Sequence, residues 1–164
     1  MFSNLEEKHL KTKHSIHSYK SFYIHMVKIL DMQFIRYANL FENVTRIKTN
    51  HCFEYNNTII FVVPRKLVMR AMGINNKNID QLSYLISKKI KIIAIPNGKE
   101  DLESFVSMIT RPVRFKSIEI RDNEAIITAN TQSKASLIGR ERVRLEEMEN
   151  ILEQYFGVKK VRVK

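Results

Sequence analysis

The chain has 164 residues, with 28 Lys plus Arg against 17 Asp plus Glu and a formal net charge of +11. Its 44% apolar and 27% charged residues exclude wholesale disorder, its 4 Gly and 3 Pro exclude a collagen-like or linker-like chain, and its longest aliphatic and aromatic run, Ile59 to Val63, is too short to span a membrane. With one cysteine, Cys52, no internal disulfide can form, so a cytoplasmic home is expected, and the basic excess points to a polyanion, nucleic acid before acidic lipid.

In chain order, residues 1–25 come first, a basic arm of net charge +2 that holds four of the five His. They show no secretory pattern and are read as a solvated, partly disordered arm or a start-site artefact ahead of Met26. His14, His17 and His25 lack the Cys or carboxylate that would complete a metal shell, so no metal is expected. A helix is predicted over about 31–42, with Phe34, Ala38 and Phe41 at i, i+4, i+7. A poorly patterned strand over about 45–54 and a strand from Thr58 to Val63 flank an Asn56-Asn57 turn. A short helix, Gly73, a longer helix and a strand from Ile90 to Ile95 follow. Pro96-Asn97-Gly98 is turn punctuation and marks the expected boundary.

Beyond that boundary the same order recurs. A helix over about 99–109 places Leu102, Phe105, Val106 and Ile109 on one face, with Glu100, Asp101 and Glu103 complementing the dipole in its first turn. Strands from Val113 to Ile120 and from Glu124 to Ala129 enclose Arg121-Asp122-Asn123, a hairpin signal. A short helix, Gly139 and a longer helix come next. That helix turns Leu145, Met148, Ile151, Leu152 and Tyr155 inward and presents Glu146, Glu147, Glu149 and Glu153 as a solvated face. The last strand runs from Val158 to Val163. The scattered Met residues read as core filler.

Aligning Gly73 with Gly139, an offset of 66, superposes the two halves, with a slip of two or three residues before the last strand. The expected fold class is therefore α+β, an α-β-β-α-α-β unit used twice. Each unit is a small three-stranded sheet with helices on one face, spanning 26–97 (net +7) and 98–164 (net +2).

Each glycine joins two helices. Such a turn either caps the first helix or presents backbone N–H groups and a positive helix N-terminus to a phosphate. The basic neighbours favour the second role. Around Gly73 lie Arg65, Lys66, Arg70 and Lys77, and around Gly139 lie Lys134, Arg140, Arg142 and Arg144. The candidate RNA-contacting residues are these cations other than Arg65, with the loops Gly73-Ile74-Asn75-Asn76 and Gly139-Arg140-Glu141-Arg142.

A helix, a Gly-x-x-Gly loop and a second helix beside a small sheet resemble the K-homology RNA-binding domain. Two such units, helix first, resemble the tandem pair of the NusA transcription factors, above all the short archaeal NusA-like proteins. The stretches that carry the resemblance are Ile35 to Glu42, Thr58 to Val63, Ala71-Met72-Gly73, Thr110 to Ile118, Leu137 to Arg140 and Tyr155 to Val158, within residues 26–164. The family loop reads roughly Gly-Lys-Gly-Gly or Gly-Lys-Asn-Gly, and both loops here lack the final glycine. Asn76 tolerates a left-handed conformation better than Arg142 does, Glu141 opposes phosphate, and Ile74 takes the place of the usual cation.

The resemblance implies type II K-homology domains in a monomeric RNA-binding transcription factor. Such a factor acts in termination or antitermination, with single-stranded nascent RNA and RNA polymerase as partners and without a cofactor. The alternatives are a protein–protein interaction module with degenerate loops and an RNA-processing or ribosome-associated protein of the same fold. No catalytic motif is present: there is no Walker pattern, no GxSxG and no His-Glu-x-x-His. Cys52, next to His51, reads as a partly buried strand residue, and no enzyme activity is expected.

Overall fold

The computed structural model describes residues 32–164. The arm 1–25 and Met26 lie outside the described residues, as does the first residue of the first predicted helix. The chain divides into two compact units, Met1–Tyr37 and Ala38–Lys164. Of the first unit only residues 32–37 are described. They are helical, with Gln33 Nε2 donating to Tyr37 Oη at 2.8 Å and Phe34 meeting Tyr37 edge-on.

The described elements follow the repeated order. Helix α1 covers 32–45. Then come β1 (Cys52–Tyr55), β2 (Thr58–Val63), α2 (Val68–Met72), α3 (Lys77–Ile86) and β3 (Lys89–Ala94). The second half has α4 (Leu102–Thr110), β4 (Ser117–Arg121), β5 (Glu124–Thr128), α5 (Thr131–Ile138), α6 (Val143–Phe156) and β6 (Lys160–Val163). Among the described residues there are two three-stranded sheets, β1-β2-β3 and β4-β5-β6, each mixed. In each, the hairpin pair is antiparallel and the strand after the helix pair joins in parallel, with Phe53 opposite Ile60 and Ile118 opposite Ile127. Both hairpins turn on two left-handed residues, Asn56-Asn57 and Asp122-Asn123, the conformation of a type I′ turn, which matches the twist of the flanking strands.

The first strand of each sheet is shorter than its pattern suggests. Residues 46–51 are not strand. Thr45 Oγ1 donates to Phe41 O at 2.8 Å and accepts from Ile47 N at 3.1 Å, and Thr49 Oγ1 donates to Val62 O at 2.7 Å. The Thr45 hydroxyl closes the end of α1, the Thr49 hydroxyl takes the place of a ladder bond to β2, and the strand begins at Cys52. Residues 113–116 likewise stay outside β4. The slip between the halves is five residues rather than two or three: Thr58 and Glu124, 66 apart, pair with Lys89 and Lys160, 71 apart. The lengthening lies largely in α6, with 14 residues against 10 in α3.

Alternation along β2 assigns its two faces. Phe61 turns toward α1, where it stacks on Phe41 with ring centroids 4.4 Å apart. Ile60 and Val62 point the other way. They join Phe53, Tyr55 and Ile93 in one buried cluster with Leu102, Phe105, Ile109, Ile127, Met148 and Leu152 of the second half. All six residues of β2 are therefore buried. The first sheet is covered on both faces, whereas β4 buries alternate side chains only partly and leaves its other face in solvent.

Polar contacts follow the same seam. Lys91 Nζ donates to the carbonyls of Met108, Ile109 and Arg111 at 3.2, 2.9 and 2.9 Å, closing the C-terminus of α4. Arg65 pairs with Asp101 at 3.1 Å. Two carboxylates of the face expected to be solvated do structural work: Glu147 accepts from Asn56 N at 2.8 Å and Glu149 from Val161 N at 3.0 Å. Met148 is core, but Met69 is 78% exposed and is no filler.

Candidate nucleic-acid interface

The two glycine turns share one backbone. Gly73 has φ 77, ψ 170 and Gly139 has φ 74, ψ 172, a region open in practice only to glycine. The next residue but one is left-handed in both loops (Asn75 φ 53, Glu141 φ 52), and so is the one after it (Asn76 φ 61, Arg142 φ 63). Asn76 N donates to Gly73 O at 3.2 Å, and Arg142 N to Gly139 O at 3.3 Å.

A strap holds each turn. Asn78 Nδ2 reaches back to Ala71 O at 3.1 Å, and Arg144 Nη1 to Ser136 O at 2.8 Å. Asn78 and Arg144 stand at the repeat offset, a polar pair that comparison of the halves could have singled out. The straps also explain the glycines, since a Cβ at Gly73 would lie 2.9 Å from the Asn78 side chain and one at Gly139 would lie 2.8 Å from Arg144 Cγ.

The loops open onto helix N-termini that no side chain caps. Neither α3 nor α6 receives a side-chain cap, whereas α5 is capped by Asn130 Oδ1, which accepts from Ser133 N at 2.7 Å. The first amides of α3 and α6 therefore have no capping side chain, and Asp80 and Glu146 are the acidic residues in the first turns of the two helices. In the first loop Lys77 is the first residue of α3, a position where the dipole disfavours a cation. Lys66 and Arg70 lie one helical turn apart ahead of Gly73, and all three cations are exposed, as are Ile74, Asn75 and Asn76.

The second loop differs in detail. Arg140, Glu141, Arg142 and Lys134 are exposed. Arg144 is half-buried, with one guanidinium nitrogen committed to its strap. Beside the loop lies a cavity of about 380 Å³ whose walls include Glu54, Glu141 and Glu147, the first hairpin through Asn56, and Arg140 and Arg144, so three carboxylates share it with two arginines. Arg65, a neighbour of Gly73 in sequence, is instead paired with Asp101.

The remaining reactive groups are structural. Burial, and then the Glu54 charge, pushes the Cys52 thiol up to about 12, so it stays protonated and is a poor nucleophile. His51 Nδ1 lies 3.4 Å from Tyr155 Oη. Among the described residues no three of His, Cys, Asp and Glu gather as a metal shell, and no helix is long and apolar enough to cross a membrane. The arrangement provides exposed cations and uncapped amides, which is the chemistry of anion recognition.

No family model matches the chain. The chain is similar to the crystal structure of APE1850, with a TM-score of 0.56 and 26% identity over 79% of this chain and 96% of that one. It is 24% identical over 139 residues to the probable transcription termination protein NusA of Thermoplasma acidophilum, a match that takes in 82% of this chain and 94% of that protein. Over most of its length, then, the chain with these two matched glycine turns shows distant homology to a probable transcription termination protein NusA.

Proposed function

We propose that this chain is a non-catalytic, cytoplasmic RNA-binding protein built from two tandem type II K-homology domains, 26–97 and 98–164. In this reading it acts in transcription termination or antitermination, on nascent single-stranded RNA and with RNA polymerase. One observation carries the reading: a helix–glycine–helix turn of the same backbone occurs twice, each time ahead of an uncapped helix N-terminus and beside exposed cations. The distant homology to a protein named for transcription termination supports the cellular role.

Phosphates would lie against the first amides of α3 and α6. Lys66, Arg70 and Lys77 serve the first loop, and Lys134, Arg140 and Arg142 the second. Gly73 and Gly139 hold the turns that lead into those amides. Ultraviolet crosslinking of single-stranded RNA to the intact chain, mapped by mass spectrometry, tests this. Crosslinks are expected in peptides covering 66–77 and 134–144. Crosslinks confined to other surfaces, or none, would overturn it.

A second reading, a protein-contact module, is favoured by one feature. Ile74 is 86% exposed at the tip of the first loop, near Met69 in sequence. Retention of a protein partner by an Ile74→Lys variant would count against that reading.

A further inference from the structure

The segment that leaves α4 and enters β4 contains Arg111, Arg114, Phe115 and Lys116 within six residues of the helix end. Its three cations are exposed, and none takes part in an ion pair among the described residues. Cavities open on both sides of it. One, of about 660 Å³, is walled by Ser107 and Glu103 of α4 together with Arg111, Pro112, Arg114 and Phe115. The other, of about 360 Å³, shares Pro112 and Arg114 and is closed by α5 through Ser133 and Ser136. Pro112 and Arg114 wall both cavities, which lie next to each other as a two-part groove divided by the segment. Ser136 stands in the last turn of α5, three residues before Gly139, so the second cavity is walled by the helix that leads into the Gly139 loop.

We propose that this groove is a second RNA subsite, which takes the nucleotides adjoining those at the Gly139 loop. The inference rests on the RNA-binding reading above. Arg111 and Arg114 supply planar donors for phosphate oxygens, the Phe115 ring, half-buried against the core, turns its remaining exposed part to the larger cavity where a base can meet it, and the serine hydroxyls suit sugar and base edges. Glu103 is the one carboxylate in the walls, so the local balance favours a polyanion. Single-stranded RNA fits better than a duplex because an aromatic ring can stack only on an unpaired base.

The test compares oligouridylates of about four and about ten nucleotides, spanning the footprints common for single-strand binders. Arg111→Ala with Arg114→Ala, and separately Phe115→Leu, are measured against Arg121→Ala, an exposed arginine on the outer face of the second sheet that already pairs with Glu119. Phe115→Leu keeps an apolar side chain, and circular dichroism checks folding. For the long oligonucleotide the double variant should lose about 1.4 units of salt slope, from two phosphate contacts. Phe115→Leu should lose about tenfold in affinity. The short oligonucleotide, held at a glycine loop, should bind the variants as it binds the unaltered chain. Equal binding of the long oligonucleotide by all variants, or an equal loss in Arg121→Ala, overturns the subsite alone. No binding by the unaltered chain overturns the RNA reading and the subsite together.

Discussion

Gly73 and Gly139 occupy a backbone region that costs other residues about 1–3 kcal/mol, and a Cβ there also meets a strap residue. Gly73→Ala should therefore destabilise the chain by about 2 kcal/mol or more, read as a fall in urea midpoint. Arg142 is a bulky residue at φ 63. Replacing it by glycine removes about 1–2 kcal/mol of left-handed strain and restores about 0.5–1 kcal/mol of chain entropy cost. A net gain of up to about 1.5 kcal/mol is expected, with weaker RNA binding because an arginine fork is lost. A variant that is less stable than the parent would show that the side chain, not the strain, dominates at this position. At this scale much was legible. The offset of 66 paired the glycines, and the resemblance, through the final glycine of its loop, marked Asn76 and Arg142 as the strained positions. The straps escaped that alignment: Asn78 and Arg144 stand at the same offset as polar donors, but only the folded turn brings each to its carbonyl.

Among the elements, the strands with unbroken β-branched runs and Asn or Asp turns were legible. β1 was not, since Thr45 turns its hydroxyl back onto its own segment and Thr49 bonds to β2 through its side chain. β1 also gives the fold an alkaline limit. Burial raises Cys52 from 9.0 to about 12 and Tyr55 from 10.0 to about 12. Both folded values lie above the unfolded ones, so the folded state holds more protons in that window. The stability due to these groups is complete below about pH 9 and is lost as pH rises toward 12. Thermal midpoints measured from pH 8 to 11 should fall, and Cys52→Ala should flatten the part of the decline that begins near 9. An unchanged slope in that variant would mean that the thiol does not couple to folding.

For the molecule as a whole, the buried cluster that joins β1, β2 and β3 to α4 and α6 could not be read from the repeat. An internal repeat reports what the halves share, whereas the contacts of Phe53 with Phe105 and Tyr155, and of Asn56 with Glu147, join unlike positions. Because both sheets draw on this cluster, Phe105→Ala should cost about 3–5 kcal/mol and move one unfolding transition that includes both sheets. Two separate transitions would show independent halves. The same packing bears on function. It sets carboxylates and a hairpin beside the second loop and leaves the first loop's Lys66, Arg70 and Lys77 exposed on the half of higher charge.

The central claim is that exposed cations at the glycine turns bind RNA phosphate, the first turn most strongly. The direct measurement is the salt dependence of single-stranded RNA affinity for the intact chain, for Arg70→Ala with Lys77→Ala, and for Glu141→Lys. The account predicts a steep loss of affinity with salt in the unaltered chain and a slope shallower by about 1.4 units in the double variant. It also predicts tighter binding by Glu141→Lys, in which a like charge beside the phosphate has been reversed. An affinity indifferent to salt, or a double variant with the slope and affinity of the unaltered chain, would contradict it.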